Sequence, residues 1–156
     1  MCLPPVSTRL EQIAEQAICY PERAFTTLAH HIDVEWLLEA HRLVNKNSAP
    51  GIDRITAKDY AANLVDNLVN LHERIQEGTY RATPARQVFI EKDDGGKRAL
   101  AIKIFEDKIV ERAVVMILEA IYEQDFYDFF YAYRPGRNPH QALKALRDQC
   151  LRLGIN

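Results

Sequence analysis

Two short stretches of the sequence combine basic side chains with turn-forming residues, and the first could bind a polyphosphate. Lys92, Lys97 and Arg98 surround a turn at 93–96, whose residues Asp-Asp-Gly-Gly are typical of a β-hairpin. Because Lys92 and Arg98 flank this turn on neighbouring strands, both side chains can point toward one ligand. Arginine binds phosphate oxygens through two parallel hydrogen bonds, and lysine adds a point charge. An exposed hairpin kept soluble by its charges is the alternative.

The second stretch is the turn Tyr-Arg-Pro-Gly-Arg at 133–137, which leads into a predicted helix. Arg134 and Arg137 stand beside the start of that helix, so they could bind a nucleic-acid backbone. A plain surface turn is the alternative. The chain has a net charge of −2, but residues 129–156 hold five Lys and Arg against one acid. This local excess fits phosphate contacts confined to one surface, and it fits a solvated helix face equally well.

The residues themselves do not form a recognisable active site. The sequence contains no GxxxxGK[ST] phosphate loop, no G-x-S-x-G nucleophile motif and no H-E-x-x-H zinc motif. The histidines lack a metal-ligand arrangement, and we expect His41 and His72 at helix surfaces or boundaries. Cys2, Cys19 and Cys150 are far apart, so we expect reduced thiols in or near the core. The sequence predicts no catalytic and no metal-binding residue.

The chain shows no pattern of a membrane or secreted protein. Its apolar runs are shorter than the roughly 18 residues of a membrane span, and its first residues lack a signal sequence. The composition, 47% apolar and 27% charged, is typical of a soluble domain. We therefore expect a cytoplasmic protein without a membrane partner.

The first third of the chain is predicted to be helical. Apolar spacing indicates a helix at 7–18 with Ser7 as its cap, and a shorter helix at 22–30. A stronger helical pattern starts after Asp33, whose side chain can cap a helix, and it ends before 45–48.

An ordered loop and a long helix are predicted next. Residues 47–55 contain a Pro-Gly turn signal, and Ile52 and Ile55 could hold this loop against the core. Thr56, with an acid three residues later, predicts a capped helix. That helix should end at Gly78, since glycine is favoured just after a helix.

The second half of the chain predicts one hairpin between helices. The hairpin spans about 86–104, and the clearest helix of the chain follows at 105–122. After an aromatic loop, a last helix begins at its cap Asn138 and ends at Gly154. An isolated hairpin is only marginally stable, so we expect this one to be packed among the helices. The predicted fold class is a helix-rich α+β fold.

Four segments resemble, in order, the beginning of group II intron reverse transcriptase/maturases. They are the loop Asn-Ser-Ala-Pro-Gly-Ile-Asp-Arg-Ile-Thr at 47–56, the hairpin at 88–102, the segment Asp-Lys-Ile-Val-Glu-Arg-Ala at 107–113, and the box Tyr-Arg-Pro-Gly-Arg-Asn-Pro-His-Gln-Ala-Leu at 133–143. Each segment alone would be weak, but four in order and at fitting spacing indicate the family.

The resemblance implies an N-terminal helical extension at 1–46 and the fingers and start of the palm of a right-hand polymerase at 47–156. Lys92 and Arg98 would be nucleotide-binding residues that contact the triphosphate of the incoming dNTP. The nucleic-acid-binding residues would be Asn47, Ser48 and Gly51 near the RNA template, and Arg134 and Arg137 on the template–primer side.

The sequence also departs from the family. Lys108 stands where the family usually has an arginine, which keeps the charge but loses the bidentate geometry. The resemblance further implies a chain truncated before the palm strands, whose aspartates hold two Mg²⁺ ions in the complete enzyme. We therefore expect no cofactor in this chain itself.

The expected function is that of a fragment of an RNA-directed DNA polymerase that is not catalytically competent alone. Its partners would be template or intron RNA, a DNA primer, dNTP and a complementing palm fragment. Two alternatives stay open, a stand-alone RNA-binding module of maturase type and a helical adaptor without polymerase activity.

Overall fold

A computed structural model describes residues 4–93 and 95–154. Its elements are α1 (Val6–Cys19), a 3₁₀ turn (Ala29–His31), α2 (Val34–Leu43), α3 (Ala57–Ala61), α4 (Leu64–Gln76), β1 (Arg86–Glu91), β2 (Lys97–Ile102), α5 (Phe105–Tyr122) and α6 (Pro139–Leu153). Helices dominate, and the two strands form one antiparallel hairpin. The expected helix-rich α+β class is confirmed at this level, while the assignment to polymerase fingers and palm stays a prediction.

The core lies where α1 and α2 pack on α5 and α4 packs on α2. Trp36, Leu37, Leu71 and Ile109 are fully buried there. The indole N–H of Trp36 donates a hydrogen bond to the carbonyl oxygen of Ala113 at 3.0 Å, so this large ring is buried without an unpaired donor. These helices form a rigid base for the hairpin and the loops.

Most helix ends lie where the capping residues predict them. Asp33 accepts a hydrogen bond from the backbone N–H of Trp36, and Thr56 forms a reciprocal capping box with Asp59. Asn138 caps α6 in the same reciprocal way, through Gln141. Gly78 and Gly154 end their helices with φ angles of 68° and 61°, in the left-handed region that glycine adopts easily.

Three helix predictions need correction. The first helix begins at Val6, after Pro5, so Ser7 lies inside it and does not cap it. The helix expected at 22–30 is reduced to the 3₁₀ turn, because that stretch has few apolar residues to bury and contains the β-branched pair Thr26–Thr27.

The helix expected after Thr56 is broken into α3 and α4. The break falls at Ala62 and Asn63, and the side-chain amide of Asn67 donates a hydrogen bond at 2.9 Å to the carbonyl oxygen of Tyr60. This side chain satisfies a carbonyl oxygen that a continuous helix would have paired internally, which lowers the free-energy cost of the break.

The hairpin projects from the helices and is not packed among them. Of its twelve strand residues, only Val88, Leu100 and Ile102 are half-buried, and the remaining ones are exposed. Its base is attached to the body, since a guanidinium nitrogen of Arg86 donates to the carbonyl oxygen of Pro50 at 3.0 Å. The expectation of a packed hairpin is therefore wrong for most of its length.

Several single residues also differ from expectation. The spacing in α5 predicts that Val114 and Leu118 face the core, but they are 40% and 42% exposed. His41, expected near the surface, is buried against the edge of Phe105. His72 is half-buried, as expected for a boundary residue.

The cysteine predictions are confirmed only in part. Cys19 and Cys150 are both free thiols, but Cys19 is exposed, so it does not lie in the core, and Cys150 is half-buried. Cys2 lies outside the described residues. Among the described residues, no helix is both long and apolar enough to span a bilayer.

Candidate nucleic-acid interface

The register of the hairpin places Lys92 and Arg98 on one face. Ile90 lies opposite Arg98, and the backbone N–H of Lys92 continues the ladder with a hydrogen bond to the carbonyl oxygen of Gly96 at 2.8 Å. Since side chains alternate along a strand, Lys92 shares the face of Ile90 and Arg98. Such diagonal neighbours have Cα atoms about 7–8 Å apart, so their two cationic ends can reach one ligand.

Lys97 lies on the opposite face of the same hairpin. It pairs in register with Glu91, and both residues alternate away from Arg98. Lys92, Lys97 and Arg98 are all exposed, and in the described chain no carboxylate forms an ion pair with them. The face with Lys92 and Arg98 therefore offers two uncommitted cations, and the other face offers one.

The loop that follows α2 is fixed to the body by two cations. The ammonium group of Lys108 donates hydrogen bonds at 2.9 Å to the hydroxyl of Ser48 and the carbonyl oxygen of Ala49. Arg86 holds the next residue, Pro50, from the base of the hairpin. The loop at 47–50 thus joins the start of α5 to the start of β1, so the predicted template loop and the hairpin are neighbours.

Gly51 holds the loop in place, and the two isoleucines do not. A Cβ at Gly51 would lie 2.6 Å from both the Cα and the backbone nitrogen of Ile104, so only glycine allows this approach. Ile52 and Ile55 are 57% and 40% exposed, which corrects the expectation that they hold the loop against the core. Gly51 is buried, whereas Asn47 is exposed and donates its N–H to the side-chain oxygen of Asn45.

Arg134 is committed to contacts inside the protein. Its guanidinium donates to the carboxylate of Glu123 at 2.6 and 3.0 Å, and to the carbonyl oxygens of Tyr127 and Phe130 at 2.9 and 3.2 Å. It also lies over the ring of Phe126, 5.3 Å from the centroid. With a side chain only 6% exposed, Arg134 ties the aromatic loop to the end of α5.

Arg137 is more available than Arg134. Its guanidinium is 3.7 Å from the carboxylate of Asp128, which is itself fully exposed, and it lies over the ring of Tyr131. Its side chain is 32% exposed. Of the two arginines predicted to bind nucleic acid from this turn, Arg137 is the one whose side chain can exchange its present partner for a phosphate.

The candidate residues fall into two groups at opposite ends of α5. The loop at 47–51 and the base of the hairpin contact its N-terminal end through Lys108 and Ile104, whereas Arg134 contacts its C-terminal end through Glu123. A helix of 18 residues is about 27 Å long at 1.5 Å per residue. The structure therefore brings the hairpin and the loop together and keeps the turn at 133–137 separate.

Comparison with known proteins identifies the family of the chain, although no family model matches it. The chain is 36% identical over 118 residues to Protein YkfC of Escherichia coli, a match that covers 74% of this chain and 31% of YkfC. It is 31% identical over 148 residues to the group II intron-encoded protein LtrA of Lactococcus lactis, covering 92% of this chain and 24% of LtrA. This chain belongs to the intron-type reverse transcriptase/maturase family.

A plant relative is consistent with that family. Nuclear intron maturase 2, mitochondrial, of Arabidopsis thaliana is 46% identical over 43 residues, which is 28% of this chain and 6% of the maturase. The chain spans about a third or less of the length of these curated relatives. The match to LtrA extends over nearly all of the chain, so the family assignment includes the helical N-terminal part as well as the hairpin.

In this member of the intron-type family, two residues that fix the candidate interface could not be found from their chemistry alone. In the sequence, Lys108 stands out only as a substitution for arginine, and Arg86 is only the first residue of the predicted hairpin. Both donate to backbone carbonyls far away in sequence, at Ala49 and Pro50. Such contacts leave no local pattern, because any residue can supply a carbonyl oxygen.

The described residues of this intron-type family member do not fit a Mg²⁺ site. No group of three potential ligands gathers anywhere in residues 4–93 and 95–154. Asp107 is buried, and each of its carboxylate oxygens accepts a hydrogen bond, one from the hydroxyl of Tyr80 and one from the backbone N–H of Thr83. Burial, and then the hydrogen bond to Asp107, raises the pKa of Tyr80 well above its usual range.

Proposed function

We propose that this chain is an RNA-binding and nucleotide-contacting part of an intron reverse transcriptase. Lys92 and Arg98 would contact the triphosphate of an incoming dNTP, and the loop with Asn47, Ser48 and Gly51 would lie beside the RNA template. The observation that carries the proposal is the position of Lys92 and Arg98 on the same exposed face of the hairpin, in a chain of this family. Charge-assisted hydrogen bonds to phosphate are among the stronger contacts that a protein makes.

The proposed partners follow from the relatives. Intron maturases and a group II intron-encoded protein are among them, which favours intron RNA as the nucleic acid that this chain binds. A DNA primer, dNTP and a polypeptide that carries a catalytic palm complete the proposed set, and the cytoplasm is the proposed location. Mg²⁺ would be held by carboxylates of that palm, so no step of the chemistry is assigned to a metal on these 156 residues.

The function is tested by completing the chain with a catalytic palm. The 156-residue polypeptide alone, given Mg²⁺, a primed RNA template and all four dNTPs, is expected to incorporate no nucleotide. Joined to a palm-bearing polypeptide of this family, as a fusion or in trans, it is expected to support template-dependent incorporation that neither part shows alone. Incorporation by the isolated chain, or no gain on complementation by a palm polypeptide that folds, would contradict the proposal.

A second candidate function is a stand-alone RNA-binding module, which the exposed cations at 92–98 also favour. It predicts that the isolated chain binds RNA with a strong salt dependence but does not support incorporation with any palm. A helical adaptor predicts neither result. Binding of a labelled oligonucleotide, measured by fluorescence polarisation at several salt concentrations, separates these two outcomes before any complementation is attempted.

A further inference from the structure

Arg54 has a backbone conformation that is unusual for a residue with a side chain. Its φ is 62°, and in the described chain Tyr133 is the one other non-glycine residue with a positive φ. This region costs energy for an L residue and is kept only where the surroundings impose it. Two hydrogen bonds impose it here, from the N–H of Arg54 to the carbonyl oxygen of Gly51 at 3.3 Å and from the next N–H to the carboxylate of Asp53 at 3.1 Å.

The guanidinium group of Arg54 is exposed and uncommitted. None of residues 4–93 and 95–154 forms an ion pair or hydrogen bond with it, although other surface arginines find such partners, as Arg42 does with Glu39 and Arg147 with Asp148. All five N–H donors of Arg54 therefore stay available for a ligand. Since an arginine cannot lose its charge in a protein, the ligand that fits is an anion with several oxygens.

The loop that carries Arg54 is already ordered before any ligand arrives. Lys108 holds Ser48 and Ala49, Arg86 holds Pro50, and the backbone of Ile104 lies directly against the loop. A preordered loop pays less conformational entropy on binding than a flexible one. Two cations thus serve to hold the loop, and Arg54 extends from it toward solvent.

We infer that Arg54 binds an RNA phosphate and that Lys108 is a positioning residue that holds Arg54 in place for this contact. The inference rests on the proposed function, namely that the chain binds RNA. The guanidinium of Arg54 would bind two phosphate oxygens in parallel, a geometry that a lysine cannot reproduce. Because the contact is made to the backbone of the RNA, it does not depend on the base sequence.

The substitution Arg54→Gly tests the contact without damaging the fold. Glycine adopts a positive φ freely, so the variant is expected to melt at the same temperature as the native chain or slightly higher. Binding to a fluorescein-labelled oligouridylate should nevertheless weaken. The slope of log K against log salt should fall by about 0.7, the value for one phosphate contact on a single strand, which is about a fivefold loss of affinity near 0.1 M salt.

Arg42→Ala is the matched control, since this arginine is also exposed but is bound to Glu39 on the surface of α2. Its slope should equal that of the native chain. Lys108→Met should weaken RNA binding, Lys108→Arg should restore most of the loss, and Lys108→Met should have no further effect when combined with Arg54→Gly. That absence of a further effect is the signature of a residue that acts through Arg54.

The outcomes separate this inference from the function on which it rests. If the native chain does not bind the oligouridylate even at low salt, the proposed RNA binding fails, and the inference fails with it. If the native chain binds and Arg54→Gly leaves the slope unchanged, the Arg54 contact is wrong and RNA binding stands. If Lys108→Met weakens binding equally in both backgrounds, Lys108 contacts RNA itself and the positioning role is wrong.

Discussion

The absence of a side chain at Gly51 allows its loop to lie directly against the backbone of Ile104. We expect Gly51→Ala to lower the free energy of unfolding by about 3 kcal/mol, at the upper end of the usual cost of overpacking. The reason is that the new Cβ would lie 2.6 Å from backbone atoms of Ile104, which cannot turn away as a flexible side chain can. Urea unfolding measured by circular dichroism gives the free energy directly.

Gly78→Ala is the control for Gly51→Ala. A Cβ at Gly78 meets no atom within 4 Å, so this variant reports only the cost of the left-handed backbone, about 1 kcal/mol. An equal or smaller loss for Gly51→Ala would show that the loop can move away from Ile104. In that case the loop at 47–55 would not be as firmly seated as its contacts imply.

His41 should make the stability of the protein depend on pH. Burial, and then the nearby ammonium of Lys46, lowers the pKa of His41 in the folded state below its ordinary value. The unfolded state therefore binds a proton more readily, and the free energy of unfolding should fall as pH drops through and below about 6.5. Thermal melts between about pH 5 and pH 8 measure this fall.

His41→Gln, which cannot titrate, should flatten the pH dependence, and the remaining slope is assigned to His31. The pKa of His31 is also lowered, by burial and then by the neighbouring His30 and Arg9, so it contributes with the same sign. A melting temperature that rises on acidification, or a slope that His41→Gln leaves unchanged, would contradict the assignment to His41.

The orientation and the partners of a side chain can be predicted from sequence only where local spacing along the chain determines them. The hairpin register follows from the turn and the alternation of side chains, so the common face of Lys92 and Arg98 was predictable. The burial of Arg134 was not, because its partner Glu123 lies on the preceding helix and a sequence gives no distance between them. Arg9 is a second example, a buried cation paired with Asp33 across two helices.

At the scale of elements, the aromatic loop after α5 depends on Arg134. Arg134→Ala removes the contacts to Glu123 and to two backbone carbonyls, so we expect a lower melting temperature and faster hydrogen exchange in the loop at 126–133. Arg137→Ala should leave both unchanged, because its contact with Asp128 is long and exposed. Hydrogen exchange followed by mass spectrometry compares the two variants.

Arg134→Ala and Arg137→Ala also distinguish an arginine that stabilises the loop from an arginine that binds RNA. Arg137→Ala is expected to reduce the salt slope of RNA binding by about 0.7, the value for one phosphate contact. If Arg137→Ala changes loop exchange and Arg134→Ala does not, the two arginines have been assigned to the wrong roles.

Helix starts were predictable where a capping side chain marks them, and α5, which has no side-chain cap, was predictable from its apolar spacing. The starts after Asp33, Thr56 and Asn138 were read from side chains that bond their own helix within three residues. The break between α3 and α4 depends on Asn67, which competes with the helix backbone for the carbonyl of Tyr60. Propensity does not forecast such a competition, because it is decided by the packing on both sides.

In the molecule as a whole, the last helix leaves large apolar side chains exposed to solvent. In the described part of α6 no residue is buried, and four of its leucines are 61–74% exposed, namely Leu143, Leu146, Leu151 and Leu153. Exposed apolar patches favour association, so we expect the chain to self-associate as its concentration rises. Sedimentation velocity over a hundredfold range of concentration measures this.

Replacing Leu143 and Leu146 with glutamate should reduce self-association while leaving the helix content unchanged, since neither side chain is buried. Replacing Ile109, which is fully buried, is the contrasting variant and should unfold the protein. A chain that stays monomeric at every concentration would indicate that the exposed leucines are not an association surface.

Comparing Arg98→Ala with Lys97→Ala tests most directly whether the hairpin face with Lys92 and Arg98 contacts the nucleotide triphosphate. Both variants are measured in the chain completed by a catalytic palm, as the KM for dNTP in template-dependent incorporation. A charge-assisted contact to phosphate contributes about 1.5–3 kcal/mol, so Arg98→Ala should raise KM or lower incorporation roughly ten- to a hundredfold. Arg98→Lys should recover only part of the loss, because lysine lacks the bidentate geometry.

Lys97→Ala should leave the KM for dNTP unchanged, because Lys97 lies opposite Glu91 on the other face of the hairpin. Equal losses for Lys97→Ala and Arg98→Ala would contradict a contact made from one face. If neither variant changes incorporation in a complemented enzyme that is active, the hairpin does not contact the triphosphate, and this chain is not a nucleotide-contacting part of the enzyme.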